Sequence, residues 1–228
     1  MLDTLASEMC HVHNMIIRGL NSIYLQAPHI KLADEKSFCQ YMTGWYNLLH
    51  THHAGEEAMF FPIVEKLTGI KGIMDINIEQ HRSFHDGVDG FKAYAEAVLA
   101  DKEKFDGAKV VGMIDAFGPP LMKHLGDEIP TILSLRPHAT KLRDLPKHMD
   151  EEGDKAMKEL GPSGMVWCFA NIDMHYENDL WPHWPPAPAP VKALMRSVFW
   201  WIYADARKFG SVDRSGSLRP LYAVPESS

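Results

Sequence analysis

Apolar residues return at three- and four-residue intervals through four long stretches of this chain, the period of an α-helix with one buried face. In the first stretch, residues 5–26, the stripe is Met9, Ile16, Ile17, Leu20 and Tyr24; Ala27-Pro28-His29 ends it, because proline cannot continue a helix. The second opens at Asp34, a residue type suited to an N-cap, and runs to about Lys66 with Phe38, Met42, Trp45, Leu48, Met59, Phe60 and Ile63 on its stripe. Pro62 lies inside it and predicts a bend near Phe61 or a less regular last turn. Gly69 and Gly72 mark a turn, and the third helix starts near Asp75 with Ile78, Phe84, Val88, Phe91 and Ala95. The polar run Asp101 to Gly107 separates it from the fourth, which carries Val110, Ile114, Phe117, Leu121, Ile132 and Leu135. Pro119-Pro120 sits mid-pattern and leaves two forms open: one kinked helix, or two helices with the second beginning at Pro119.

Beyond Arg136 the pattern changes. Leu142 to Leu160 reads as a charged, exposed helix ended by Gly161-Pro162, and Met165 to Trp184 is aromatic and mixed. Pro185 to Pro190 predicts extended, polyproline-like chain, Val191 to Tyr203 an amphipathic helix, and the tail after Gly210 a loop. The expected fold is all-α: an up-and-down four-helix bundle over residues 1–138, with a partly helical C-terminal extension over residues 139–228 packed on it. Trp167, Trp181, Trp184, Trp200 and Trp201 would pack between the two.

Several stripe positions are polar. His52 and Glu56 stand four apart, one helical turn, with apolar neighbours before and after, so both would point into the core. Two bare ionisable groups in a core cost several kcal/mol each unless paired or metal-bound. The fourth helix repeats the spacing with His124 and Glu128, the third carries His81 and His85, and the first carries His13. An up-and-down bundle turns four such faces toward one axis. Five imidazoles and two carboxylates without a thiolate are too many for one ion; shared over two, with carboxylates bridging, they nearly saturate a pair of six-coordinate metals and leave room for an outside ligand. Such donors suit iron, with manganese or zinc also accommodated. His11 and His53 fall about 100° or more off the stripe and read as surface residues or supports for the ligands; Glu57 reads as a solvated or supporting carboxylate. His148, His175 and His183 lie outside the bundle and are not expected to bind metal.

Bulk properties narrow the partners. A formal net charge of -7 with no basic stripe argues against nucleic acid or an anionic membrane surface. No apolar run reaches the length of a membrane span and the first residues lack a basic leader, so the expectation is a cytoplasmic protein. Cys10, Cys39 and Cys168 form no CxxC pair and read as buried thiols.

The chain resembles the hemerythrin-like, HHE cation-binding family. The matching motifs are His13-Asn-Met-Ile-Ile-Arg-Gly-Leu, His52-His53-Ala-Gly-Glu56-Glu57 with Phe61-Pro62, Glu79-Gln80-His81-x-x-Phe84-His85, and His124-x-x-x-Glu128. The resemblance implies a non-haem di-iron centre with Glu56 and Glu128 bridging and the histidines terminal. It also marks a departure: oxygen-carrying members place an Asp five residues after the last histidine, whereas Glu128 comes at four. His81 and His85 match the carriers' paired histidines; other members use only one there.

Two functions remain open. One is reversible binding of dioxygen or nitric oxide, or sensing of iron or oxygen, at two iron ions. The other is an O2-activating oxidase or oxygenase acting on a small organic substrate enclosed by the aromatic extension, and a pocket over the metal lined from beyond Arg143 would favour it. A ferritin-like storage bundle ranks below both, because neither clip has the Glu-x-x-His order of that class.

Overall fold

A computed structural model describes residues 1–177, 185 and 187–225. Trp181, Trp184, His183 and Pro186 lie outside the described residues. Among those described, the chain is helical with no strand, apart from one isolated bridge between Val212 and Leu218. Four long helices form the bundle: α1 (Leu2–Gln26), α2 (Glu35–Gly55) continued through a π turn (Glu56–Phe60) into α3 (Phe61–Thr68), α4 (Asp75–Leu99) and α5 (Gly107–Ser134). Each packs on two neighbours around a ring, α1 on α2, α2 on α4, α4 on α5 and α5 back on α1.

The helix ends follow local chemistry, with one departure from the expected pattern at Asp34. Asp106 caps α5, its carboxylate accepting from the Ala108 and Lys109 amides at 2.9 and 3.1 Å. Asp34 stands at the start of α2 but makes no such bond, because Lys208 Nζ holds its carboxylate at 2.7 Å instead. Pro119, Pro120 and Pro130 all lie within α5, which resolves the open choice in favour of one continuous helix. The prolines cost amide bonds, which the apolar stripe of Val110, Ile114, Phe117, Leu121, Leu125 and Ile132, all buried, offsets by packing.

Pro62 produces the π turn. It has no amide hydrogen and its ring crowds the carbonyl four residues back; the backbone widens ahead of it, so that the Phe61 amide bonds to the Glu56 carbonyl, five residues earlier. Such widened turns commonly mark functional segments.

The C-terminal segment opens with α6 (Leu145–Phe169), which breaks at Gly161, φ 61°, where the Gly-Pro pair was expected to end the charged helix. It packs along α2, with Glu152 beside Gly55 and Trp167 beside Gly44. Trp167 fits over two glycines: a Cβ on Gly19 of α1 would stand 2.2 Å from Trp167 Cη2, and one on Gly44 of α2 2.6 Å from Cδ1. Trp167 Nε1 donates to the Tyr41 carbonyl at 3.0 Å. Trp200 is buried with Val166, Phe169 and Met195, while Trp201 is 65% exposed and does not serve as packing. Pro188 keeps the extended conformation, but α7 (Ala189–Leu194) already includes Pro190, which suits a first helical turn. A second π turn (Met195–Phe199) follows, then the short α8 (Trp200–Ile202) and α9 (Ala204–Arg207).

The buried apolar residues of the bundle fall into two clusters. One includes Leu5 and Met9, Phe60 and Phe61, Met74, and Ile132. The other includes Ile16 and Leu20, Leu48 and Leu49, Phe84 and Val88, and Leu121 and Leu125. His13, His52, Glu56, His81 and Glu128 fall between these two sets along their helices, and His124 lies one residue before Leu125.

Candidate metal centre

Between the two apolar halves, seven side chains bring their donor atoms together in two overlapping groups. One is His53, Glu56, His81 and His124; the other is His13, His52, Glu56 and Glu128. Within each group the nearest donor atoms lie within 4.8 Å of one another. Glu56 belongs to both: its Oε1 is 3.2 Å from His52 Nε2 and its Oε2 is 3.5 Å from His81 Nε2. Glu128 Oε2 lies 3.3 Å from His13 Nε2 and 3.9 Å from His124 Nε2. Each carboxylate therefore faces histidines from two different helices, and Glu56, shared by the two groups, does so with separate oxygens.

Six of the seven residues anticipated from the stripes are gathered here, and His85 is not. Its side chain is 61% exposed, facing Asp89 and Asp86 at 3.5 and 3.8 Å. The reason is the pitch of α4, whose buried line runs Asn77, His81, Phe84, Val88, Phe91, Ala95, Val98, alternating steps of four and three. After His81 the inward step is three, so Phe84 enters the core and His85 turns to the rim.

His53 takes the vacated place in the count. Its ring stacks on His81 with centroids 4.1 Å apart and meets His124 edge-on at 5.1 Å. A narrow stripe excludes it, but a core-facing arc of 100° or more admits adjacent positions on one helix. The consecutive pair His52-His53 before Glu56 was the signal. His11 is also buried, yet it packs edge-on against Tyr176 at 4.9 Å and belongs to neither group. His148 and His175 likewise belong to neither. All three cysteines are free thiols; Cys39 and Cys168 are buried and Cys10 partly so.

The supporting bonds fix which nitrogen faces inward. His13 Nδ1 donates to the Leu125 carbonyl at 2.9 Å, His81 Nδ1 to Glu57 Oε1 at 2.7 Å, and His124 Nδ1 to Gln80 Oε1 at 3.2 Å. Each acceptor is an oxygen without a proton, so each Nδ1 carries the hydrogen and each Nε2 presents a lone pair. This arrangement orients metal-binding imidazoles and raises their basicity. Gln80 is itself held, its amide donating to Asp127 Oδ2 at 2.8 Å.

Without a cation these groups are poorly satisfied. The inward nitrogens of His13, His52 and His53 and all four carboxylate oxygens of Glu56 and Glu128 are buried with no hydrogen-bond partner among the described residues. Burial, reinforced by the facing Glu128, pushes the Glu56 carboxyl well above its ordinary range. Burial and the neighbouring imidazoles hold His52 and His53 well below theirs; His81 is lowered as well, and His124 falls to about 2. These rings are thus held neutral, each with one nitrogen available to a cation. Five imidazoles and two carboxylates, with no thiolate, form a donor set that suits a metal such as iron.

The residues 4–135 match the model of the hemerythrin HHE cation-binding domain. The chain belongs to the hemerythrin family. A relative from Cryptosporiopsis sp. (strain 8999), named dimeric xanthone biosynthesis cluster protein R11, is 33% identical over 227 residues, covering 97% of this chain and 83% of its own. No solved structure matches significantly. In this hemerythrin-like chain the last carboxylate comes four residues after His124, not five, and Glu128 is nevertheless fully buried on the metal side.

A cavity of about 680 Å³ adjoins the centre, within the range of roughly 300–1,000 Å³ typical of small-molecule sites. His52 and Glu56 form part of its wall; α1 contributes Met9 and Val12, and the C-terminal segment contributes Met157, Met165, Phe169 and Val191. Among the described residues no helix is long and apolar enough to cross a membrane.

Proposed function

We propose that this chain is a non-haem di-iron protein that binds dioxygen at the His/Glu centre and activates it to oxidise a small organic molecule held in the adjoining cavity. The observation that carries the reading is the place of that cavity: it lies between bundle and C-terminal segment, with His52 and Glu56 on its wall and residues beyond Arg143 closing its far side. Manganese or zinc would suit the same donors, but zinc, which has no redox chemistry, would not supply electrons to dioxygen.

Bound there, two iron ions would supply the electrons that reduce dioxygen. The chain's own residues do the rest. Glu56 and Glu128 each face histidines of two helices and would keep both ions in place as their charge changes. Glu57, Gln80 and the Leu125 carbonyl hold three imidazoles in orientation. Phe61 and Phe84, with ring centroids 5.8 and 6.0 Å from His81, keep water from that side. The name of the Cryptosporiopsis relative, a biosynthesis cluster protein, supports an organic substrate by analogy.

Reversible binding of dioxygen or nitric oxide, or sensing of iron or oxygen, is the second reading, and the same Phe61 and Phe84 shield favours it. Anaerobic loading with Fe(II), metal analysis and Mössbauer spectra should give two irons per chain. Admitting oxygen then separates the readings. Catalytic oxygen consumption in the presence of an oxidisable aromatic compound supports oxidation; a stable oxygenated form reversed by vacuum establishes carriage; an inert iron centre removes both.

A further inference from the structure

The cavity has a polarity that the metal centre does not account for. Its walls are apolar and adaptable, with Met9, Met15, Met157 and Met165 beside Phe60 and Phe169; thioether side chains fill irregular space around varied shapes. Its charged wall groups outside the metal centre are predominantly acids: Glu8, Asp150, Glu152 and Asp154, against Lys158. An anion entering would give up hydration and meet carboxylates, whereas a neutral molecule with an O–H group would meet acceptors.

Glu152 is the acceptor best placed to orient such a molecule. A Cβ on Gly55 would stand 2.7 Å from Glu152 Oε1, closer than real contacts allow. The carboxylate therefore occupies a notch over α2 that only glycine leaves open, one residue before Glu56. Its side chain is 16% exposed, and Lys155 Nζ stands 3.8 Å from Oε1, beyond hydrogen-bond length, so that oxygen keeps acceptor capacity.

We propose that the cavity takes a neutral, hydroxyl-bearing aromatic molecule of the phenol class, whose hydroxyl donates to Glu152 and whose ring extends along the methionine-lined wall toward His52 and Glu56. As a substrate assignment this rests on the oxidative reading above; as a binding site it does not. Glu152 is then a specificity-determining residue, because a carboxylate at that point rewards a donor and rejects an acid.

The test is direct binding, followed by fluorescence, of 1-naphthol and of 1-naphthoate to the purified full chain, with and without prior chelation of metal. Naphthol is expected to bind at least tenfold tighter than naphthoate in both preparations. Glu152→Gln should weaken naphthol about tenfold, the difference between a charge-assisted and a neutral acceptor, and narrow the gap to naphthoate. Met157→Trp, which fills the cavity, should abolish naphthol binding; thermal melts identify either variant that fails to fold. Equal or tighter binding of naphthoate, no binding of naphthol, or naphthol affinity unchanged in folded Glu152→Gln overturns the proposal. Naphthol binding without oxygen consumption by the iron-loaded protein leaves this site standing and removes the oxidative reading. Oxidation of carboxylated aromatics without preference for phenols does the reverse.

Discussion

His81 Nε2 lies 3.0 Å from His124 Nε2. Both rings have already committed their Nδ1 hydrogens, to Glu57 and to Gln80, so two lone pairs confront each other inside the bundle, where both rings are buried. A shared proton is disfavoured because burial keeps His124 neutral down to about pH 2. A metal ion relieves the repulsion and satisfies the stranded Glu56 and Glu128 oxygens together. Loading with Fe(II) should therefore stabilise the fold by about 2.7 kcal/mol at a hundredfold excess over Kd. Thermal melts with Fe(II) and with a chelator check this; equal midpoints would count against a metal site.

His53 and His85 separate the tertiary arrangement from the sequence spacing. With the two ions proposed above, His53→Ala should lower the bound metal toward one per chain, since it removes a donor from one group. His85→Ala, at a side chain 61% exposed, should leave the stoichiometry unchanged. Elemental analysis after dialysis reads both.

Glu57 touches the centre only through His81, accepting its Nδ1 hydrogen at 2.7 Å. Glu57→Gln should leave the fold intact and weaken metal binding about 10- to 100-fold, the usual effect of losing such a support. Competition against a chromophoric chelator measures it.

The metal-free protein should lose stability in mildly acidic solution. His52, His53, His81 and His124 have folded-state pKa values below their ordinary 6.5, so the unfolded chain binds more protons as pH falls through that value, and stability drops with it. Glu56 works oppositely: its raised pKa makes the folded state the better proton binder above 4.5, so its contribution falls as pH rises. Four groups outweigh one, and urea midpoints of the chelated protein should decline between about pH 7 and pH 5.

Trp167 fastens the C-terminal segment to the bundle. Trp167→Ala should cost about 3–5 kcal/mol by emptying the slot over Gly19 and Gly44. Gly44→Ala, whose Cβ would stand 2.6 Å from Trp167 Cδ1, should cost about 1–3 kcal/mol by overfilling it. Denaturant titration distinguishes the two magnitudes.

What the sequence by itself determined is what depends on short range: four amphipathic helices, their proline and glycine punctuation, the break at Gly161, and the inward placement of His13, His52, Glu56, His81, His124 and Glu128. Helical periodicity decides those, because each stripe must find a core. What only the tertiary structure decided depends on pitch and partners. The alternating step along α4 sends Phe84 inward and His85 outward; the width of the core arc admits His53; and the continuity of α5 through its prolines is held by packing that no local propensity records. The cavity beside Glu56 belongs to the same class, since its walls come from α1, α2 and a segment about a hundred residues further along the chain, and spacing within one helix carries no information about what another brings to face it.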